Sequence, residues 1–272
     1  MNDFMKSWQS GIVKVSDGVL AIHRTGGTGP QLVLSHGLTD NGLCWARVAQ
    51  ELASEFDIIM LDARGHGLSS RISENGEHDP AEDIAQAIEQ LGLVAPAVIG
   101  HSVGALATAR FANKYHGRAS VVILEDPPFL PVASAAVLED RQQAFRLHVE
   151  KFQAMTESEI AKLGRETSPT WHEDEFLAWA IAKKQTDPKA FPSNHTRWQD
   201  AIAQIAVPTL LIYGESERGG IVRPKIAEEA RALNPQIKAV QIKGAGHNIR
   251  RENFSEYMTT IQTFLRHQLD AP

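Results

Sequence analysis

The chain has 272 residues, 43% of them hydrophobic, a size that suits one large α/β domain or two small ones. No stretch approaches the roughly 20 apolar residues of a membrane span, and the N-terminus lacks the basic start and apolar core of a secretory signal, so we expect a cytoplasmic protein without a membrane partner. A net charge of −6 without a basic cluster argues against a nucleic-acid partner. The single cysteine, Cys44, excludes an internal disulfide and offers too little thiolate for a structural zinc site.

The first half of the chain alternates short apolar segments with amphipathic ones. Two short strands, in GIVKV and GVLAIHR, meet at Ser16-Asp17-Gly18, which is typical of a hairpin. Four later segments are almost wholly apolar and predict buried strands: QLVLSHG, FDIIMLD, PAVIGHS and ASVVILED. NGLCWARVAQELAS and PAEDIAQAIEQLG have helical periodicity. Because apolar strands of this kind are buried on both faces, we predict an α/β fold: a mostly parallel sheet with an antiparallel N-terminal strand and helices on both faces.

The alternation of strands and helices stops after the sixth predicted strand. Residues 127–205 contain no convincing apolar strand, and the alternation resumes at PTLLIYGE. This segment is rich in aromatic residues: Phe129, Phe145, Phe152, Trp171, Phe176, Trp179, Phe191 and Trp198. Since long insertions are usually functional, we predict a helical cap, 127–205, inserted in a core formed by 1–126 and 206–272. The aromatic density predicts an apolar cleft, with Trp171, Trp179 and Phe129 as candidate substrate-binding residues.

The segment between a predicted strand and a predicted helix, Gly100-His101-Ser102-Val103-Gly104, matches the Gly-x-Ser-x-Gly nucleophile elbow. Glycines on either side permit a tight, strained turn because they have no Cβ to collide. Such a turn lifts the Ser102 hydroxyl clear of the sheet, at the positive end of the following helix. A serine hydroxyl needs a base to take its proton. His247, in the loop after the strand predicted in IKAVQIKGAGH, is the predicted base.

These segments together resemble the α/β-hydrolase family over nearly the whole chain. LSHGLTDNG looks like the family's His-Gly turn after the third strand. The resemblance implies that the backbone N–H groups of Leu38 and Val103 form an oxyanion hole, with His36 and Gly37 shaping the turn. LDARGHGLSS resembles a second family loop and implies structural roles for its polar residues.

In this family the acid that orients the histidine falls between the serine and the histidine in the chain, and two residues fit that order. Asp126 ends the segment VVILED, a position that some capped members use. Glu217 lies in YGESERGGIV, where most members have aspartate in a Gly-x-x-Asp pattern. Here glutamate replaces the aspartate, and two glycines interrupt the loop. Either carboxylate would orient His247 and stabilise its charged form. We favour Asp126 and keep Glu217 as the alternative.

The resemblance implies a serine hydrolase that cleaves a small carboxylic ester or lactone through an acyl-enzyme, as a carboxylesterase or lactonase does, with no cofactor and no metal. Two alternatives stay open: hydrolytic carbon–carbon cleavage of a diketone-like compound by the same triad, and a non-catalytic small-molecule receptor of the same fold. Haloalkane dehalogenases and epoxide hydrolases of this fold attack with aspartate, so a serine nucleophile argues against those activities.

Overall fold

The computed structural model describes residues 8–73, 78–192 and 196–269. Within them, one eight-stranded sheet has the strand order β1-β2-β4-β3-β5-β6-β7-β8. Its strands are β1 Gln9–Val15, β2 Gly18–Arg24, β3 Gln31–Ser35, β4 Asp57–Leu61, β5 Ala97–His101, β6 Val121–Glu125, β7 Thr209–Tyr213 and β8 Ile237–Gln241. The pairs β1–β2 and β2–β4 are antiparallel, and every other neighbouring pair is parallel.

Helices connect the parallel strands, as crossovers between such strands require. They are α1 Ala46–Leu52, α2 Pro80–Gln90, α3 Val103–Lys114, α4 Ala135–Ala154, α5 Glu157–Thr167, α6 Glu173–Lys184, α7 Trp198–Ile202, α8 Pro224–Leu233, α9 Ile249–Glu252 and α10 Phe254–Leu269. The helix predicted over NGLCWARVAQELAS begins instead as a 3-10 turn, Gly42–Trp45, because the Gly42 N–H is held by Asp62 Oδ1 at 2.7 Å. None of the described helices combines the length and the hydropathy needed to span a bilayer.

Two apolar clusters cover the two faces of the sheet. On the fully buried strand β5, Val98 enters the cluster that includes residues of α2, α3, α7 and α8. The next residue, Ile99, enters the cluster on the opposite face, with residues of α1 and α10. This alternation follows from the opposite directions of successive side chains in a strand. The predicted fold class, a mostly parallel sheet with an antiparallel N-terminal strand and helices on both faces, is confirmed.

The described residues between β6 and β7 form helices α4 to α7 and no strand. Side chains of α4, α5 and α6 build a separate cluster around Phe152, Ile160 and Phe176. The short helix α7 differs, because Trp198 and Ile202 pack into the cluster that covers the sheet. Helices α4 to α6 are therefore the part of the insertion with an apolar core of its own. The division into a core, 1–126 and 206–272, and a cap, 127–205, stays a prediction.

Candidate active site

Ser102 stands in the turn between β5 and α3, with φ 54° and ψ −122°. A Cβ added at Gly100 would lie 2.4 Å from the Gly104 carbonyl oxygen, and one at Gly104 would lie 2.4 Å from the carbonyl oxygen of His36. Both neighbouring positions therefore require glycine, as the sequence pattern predicts. The Ser102 N–H donates to the Glu125 carbonyl at 2.8 Å, which ties the strained turn to the end of β6.

His247 connects Ser102 to a buried carboxylate. Its Nε2 lies 3.1 Å from Ser102 Oγ, and its Nδ1 lies 2.6 Å from Oδ2 of Asp126. Asp126 is fully buried, whereas 28% of the His247 side chain is exposed. Because an ionised carboxylate only accepts hydrogen bonds, Nδ1 carries the proton and Nε2 accepts from the serine hydroxyl. The imidazole is thereby oriented with its unprotonated nitrogen towards Ser102.

The loop after β7 places Asp126, not Glu217, beside the imidazole. The Asp126 carboxylate accepts from the N–H groups of Ile221 and Val222 at 2.8 and 2.9 Å. Glu217 lies in a 3-10 turn, Ser216–Arg218, and is exposed. The loop that contains Glu217 thus supplies main-chain N–H donors to Asp126, the other candidate acid. Glu217 is not brought together with His247.

The residues of the His-Gly segment form a tight turn against Ser102; we call residues 37–40 the Gly37 turn. The Asp40 N–H donates to the Gly37 carbonyl at 3.1 Å and closes the turn. A Cβ at Gly37 would lie 3.3 Å from Cβ of Ser102, so the backbone approaches the serine closely. Within the described residues, neither the Leu38 N–H nor the Val103 N–H donates to a protein acceptor. Both N–H groups therefore remain available to an oxygen atom bound beside Ser102.

Three buried histidines near this turn were not assigned a proton-carrying role by the sequence. His101 Nε2 lies 3.0 Å from the main-chain carbonyl of His247, and burial holds the pKa of His101 well below its ordinary value. His66 Nε2 accepts from the Thr39 N–H at 3.4 Å, and burial lowers the pKa of His66 to about 3. Burial also lowers the pKa of His36, whose Nε2 accepts from the Ala63 N–H at 2.9 Å. Neutral imidazoles thus surround the turn.

A cluster of buried charged residues behind the Gly37 turn was missed by the sequence reasoning. Its members come from four separate segments: Asp40, Glu125, Glu175, Lys183, Arg250 and Arg251. One signal was present, since two arginines follow His247 closely in the chain. Charged residues usually lie at the surface, so a sequence pattern alone does not reveal their burial. Within the described part of the chain, no group of three His, Cys, Asp or Glu side chains is placed to hold a metal ion.

A cavity of about 800 Å³ adjoins the Gly37 turn and runs along α2 and α3. Leu38 and Val103 line it. The three aromatic residues expected to bind substrate do not line this cavity. Trp171 and Trp179 pack perpendicular to each other in the cluster of α4 to α6, with ring centroids 6.0 Å apart. Phe129 is buried and stacks on Trp198 at 4.7 Å. All three rings contact other aromatic side chains, and their role in substrate binding stays a prediction.

The comparison with known proteins assigns the chain to a family. A profile of the alpha/beta hydrolase family matches residues 32–255. The chain belongs to this family. This alpha/beta hydrolase is 30% identical over 257 residues to the N-formylmaleamate deformylase of Pseudomonas putida, a match that covers 90% of this chain and 92% of that protein. It is therefore an enzyme, and its coarse function is hydrolysis.

One further curated protein and one solved structure match nearly the whole chain. The hydrolase is 27% identical over 264 residues to a pimeloyl-[acyl-carrier protein] methyl ester esterase of Aliivibrio salmonicida, covering 89% of this chain and 95% of that one. The crystal structure of E-2-(acetamidomethylene)succinate hydrolase superposes with a TM-score of 0.75 at 21% identity, over 97% of this chain and all of that chain. At this identity, the superposition shows a shared fold.

Proposed function

We propose that this hydrolase cleaves a carboxylic ester or lactone of a small molecule through an acyl-enzyme on Ser102, with His247 as base and Asp126 as the orienting acid. One observation carries the proposal: a continuous hydrogen-bonded series from Ser102 Oγ through both nitrogens of His247 to Asp126, with distances of 3.1 and 2.6 Å. This is the geometry that nucleophilic catalysis by serine requires.

In the first half-reaction, Ser102 Oγ attacks the acyl carbon while its proton passes to His247 Nε2. The carbonyl oxygen becomes an oxyanion and accepts from the N–H groups of Leu38 and Val103. Each donor is expected to lower the barrier by about 3 kcal/mol. When the tetrahedral intermediate collapses, His247 gives its proton to the leaving oxygen, and the acyl group stays on Ser102.

In the second half-reaction, a water molecule gives a proton to His247 and attacks the acyl-serine. A second oxyanion forms beside the same two N–H groups, and its collapse returns the proton to Ser102 Oγ and releases the acid. Throughout, Asp126 keeps the Nδ1 proton in place and stabilises the imidazolium that forms transiently. The backbone N–H groups of Ile221 and Val222 donate to that carboxylate and hold it beside the imidazole.

The cavity along α2 and α3 supports a small-molecule substrate. It reaches Leu38 and Val103, the residues that would hold the oxyanion, and its volume of about 800 Å³ lies within the range of ligand sites. We therefore place the non-reacting part of the substrate there rather than against Trp171, Trp179 or Phe129.

A second candidate function is hydrolysis of a carbon–nitrogen bond in an N-acyl compound. It is favoured by the 30% identity to a protein named as a deformylase over nearly the whole chain. The same residues serve both reactions, because His247 protonates a leaving nitrogen as it protonates a leaving oxygen. The chemical difference lies in the leaving group, so a substrate panel separates the two.

Labelling with a fluorophosphonate tests the proposal. We expect the wild-type protein to be modified at Ser102, with the site read by peptide mass spectrometry, and to turn over para-nitrophenyl butyrate. Ser102→Ala abolishes both signals. A folded wild-type protein without the label contradicts the proposed nucleophile. Matched esters, lactones, N-formyl amides and diketones then identify the bond that is cleaved.

A further inference from the structure

A buried lysine of the helical insertion holds the Gly37 turn. Lys183, near the end of α6, is 6% exposed. Its Nζ donates to the Thr39 carbonyl at 3.1 Å and to Thr39 Oγ1 at 2.6 Å, and it lies 3.6 Å from Oδ1 of Asp40. Burying an ammonium group is costly unless it is paired and hydrogen-bonded. These three oxygen atoms all belong to the Gly37 turn, so Lys183 connects the insertion directly to this turn.

Thr39 needs such support because its φ is 64°. A positive φ is rare for a β-branched residue, and strain of this kind costs about 1–3 kcal/mol and persists only where surrounding groups enforce it. The Thr39 N–H makes only a long contact, 3.4 Å, to His66. The two bonds from Lys183 are shorter. A change of the Thr39 φ would reorient the preceding chain, including Leu38, relative to Asp40.

Asp40 links the same turn to the segment that carries His247. Arg250 and Arg251, on α9, approach its Oδ2 at 3.1 and 3.2 Å. Arg250 also pairs with Glu125, the residue before Asp126, at 3.2 Å. Lys183 completes a cluster in which three carboxylates face three cations. The turn, the histidine loop and the end of β6 are therefore connected through buried charges.

We propose that Lys183 is a positioning residue that fixes the Gly37 turn so that the Leu38 N–H points at the oxyanion formed beside Ser102. The inference rests on the proposed function. An interaction that strengthens only in the transition state changes kcat more than KM. Loss of Lys183 is therefore expected to slow acylation while the affinity for substrate stays nearly constant.

The test compares Lys183→Met with Lys184→Met. Lys184 is the next residue of α6, and its Nζ donates to the main-chain carbonyls of Gln153 and Met155 rather than to the turn. For Lys183→Met we expect two rates to fall about 10- to 100-fold: fluorophosphonate labelling at Ser102, and kcat for para-nitrophenyl butyrate. This loss is smaller than the one caused by complete removal of an oxyanion donor, because the Leu38 N–H is displaced but still present. KM stays within about twofold. Lys184→Met retains both wild-type rates.

A second variant, Thr39→Val, keeps the branched side chain and removes only the Oγ1 acceptor. We expect labelling and kcat to fall about 3- to 10-fold, a fraction of a full oxyanion-donor loss. Urea unfolding of each variant shows which ones are folded. If Lys183→Met does not fold, the rates of Thr39→Val test the proposal instead. Wild-type rates in the folded variants, or a raised KM at unchanged kcat, overturn the positioning role. Absence of labelling in the wild type refutes the proposed function instead.

Discussion

Ser102 and Asp126 share an unusual backbone conformation, with φ angles of 54° and 42°. Each such residue costs about 1–3 kcal/mol, so neighbouring groups must enforce it. The N–H of Ser102 is bound by the Glu125 carbonyl, and that of Asp126 by the carbonyl of Ile212, both at 2.8 Å. The two strained residues are therefore fixed by adjacent strands of the sheet, and their side chains reach His247 from defined positions.

Substitution of the two candidate acids is expected to give opposite results. Asp126→Asn introduces an amide N–H donor where the carboxylate only accepts, so the imidazole is no longer held in the required tautomer and kcat for para-nitrophenyl butyrate falls about 10³- to 10⁴-fold. Glu217→Gln, the matched control in the exposed turn, changes kcat by less than about twofold, as is usual for a surface substitution. A larger loss in Glu217→Gln than in Asp126→Asn would transfer the role to Glu217.

The sequence predicts the strained serine, but it favours Asp126 as the acid without removing Glu217 as the alternative, for a physical reason. The glycines beside Ser102 are required by local steric contacts, and a short sequence pattern is enough to indicate such a requirement. The choice between Asp126 and Glu217 depends instead on the path of the loop after β7. Gly219, with φ 95°, turns that loop so that the N–H groups of Ile221 and Val222 meet the Asp126 carboxylate. Such a long-range approach has no signature within the loop itself.

Among the elements, α5 and α6 are joined by aromatic side chains. A Cβ at Gly164 of α5 would lie 2.9 Å from the Trp179 ring on α6, so the helices touch where the glycine leaves room. The aromatic content of this segment was visible in the sequence. Its role was not, because the interior of a helical layer and the wall of an apolar cleft use the same residue types. The central strands β4, β5 and β6 were easier to predict, since each is a short, fully buried and largely apolar run.

Removal of the Trp179 ring is therefore expected to affect stability rather than selectivity. Trp179→Ala should lower the free energy of unfolding by about 2–3 kcal/mol, somewhat less than for a fully buried tryptophan. The ratios of kcat/KM among esters of different chain length stay constant. The rate for every ester falls, because the centroid of the Trp179 ring lies 4.8 Å from Lys183 Nζ and loss of the ring disturbs the residue that positions the Gly37 turn. Leu177→Ala, an exposed position on α6, is the control. Altered chain-length ratios would instead place the ring at the substrate.

On the scale of the whole molecule, the buried neutral histidines make stability depend on pH. In the unfolded chain, the pKa of His66 returns to about 6.5, whereas in the folded protein it is about 3. Between these values the unfolded state binds more protons, so the free energy of unfolding falls as pH decreases below about 6.5. This residue alone contributes on the order of 5 kcal/mol, lost progressively down to pH 3.

Urea unfolding between pH 7 and pH 4.5 measures this effect. In His66→Gln we expect the free energy of unfolding to fall less steeply with decreasing pH, by up to about 1.4 kcal/mol per pH unit, because the variant has no imidazole to protonate. Glutamine still offers a donor and an acceptor at this position beside the Gly37 turn. His116→Gln, at an exposed position, should leave the slope unchanged. Equal slopes for His66→Gln and the wild type would show that His66 does not bind a proton on unfolding.

The sequence separation of 145 positions from Ser102 to His247 also orders events during synthesis. At about 5–20 residues per second, the ribosome completes the nucleophile roughly 7 to 30 s before it completes the base. A nascent chain in that interval contains the serine and the carboxylate without the imidazole that connects them. Under the proposed mechanism, polypeptides terminated before residue 247 carry an unactivated alcohol and have no hydrolytic activity at that serine.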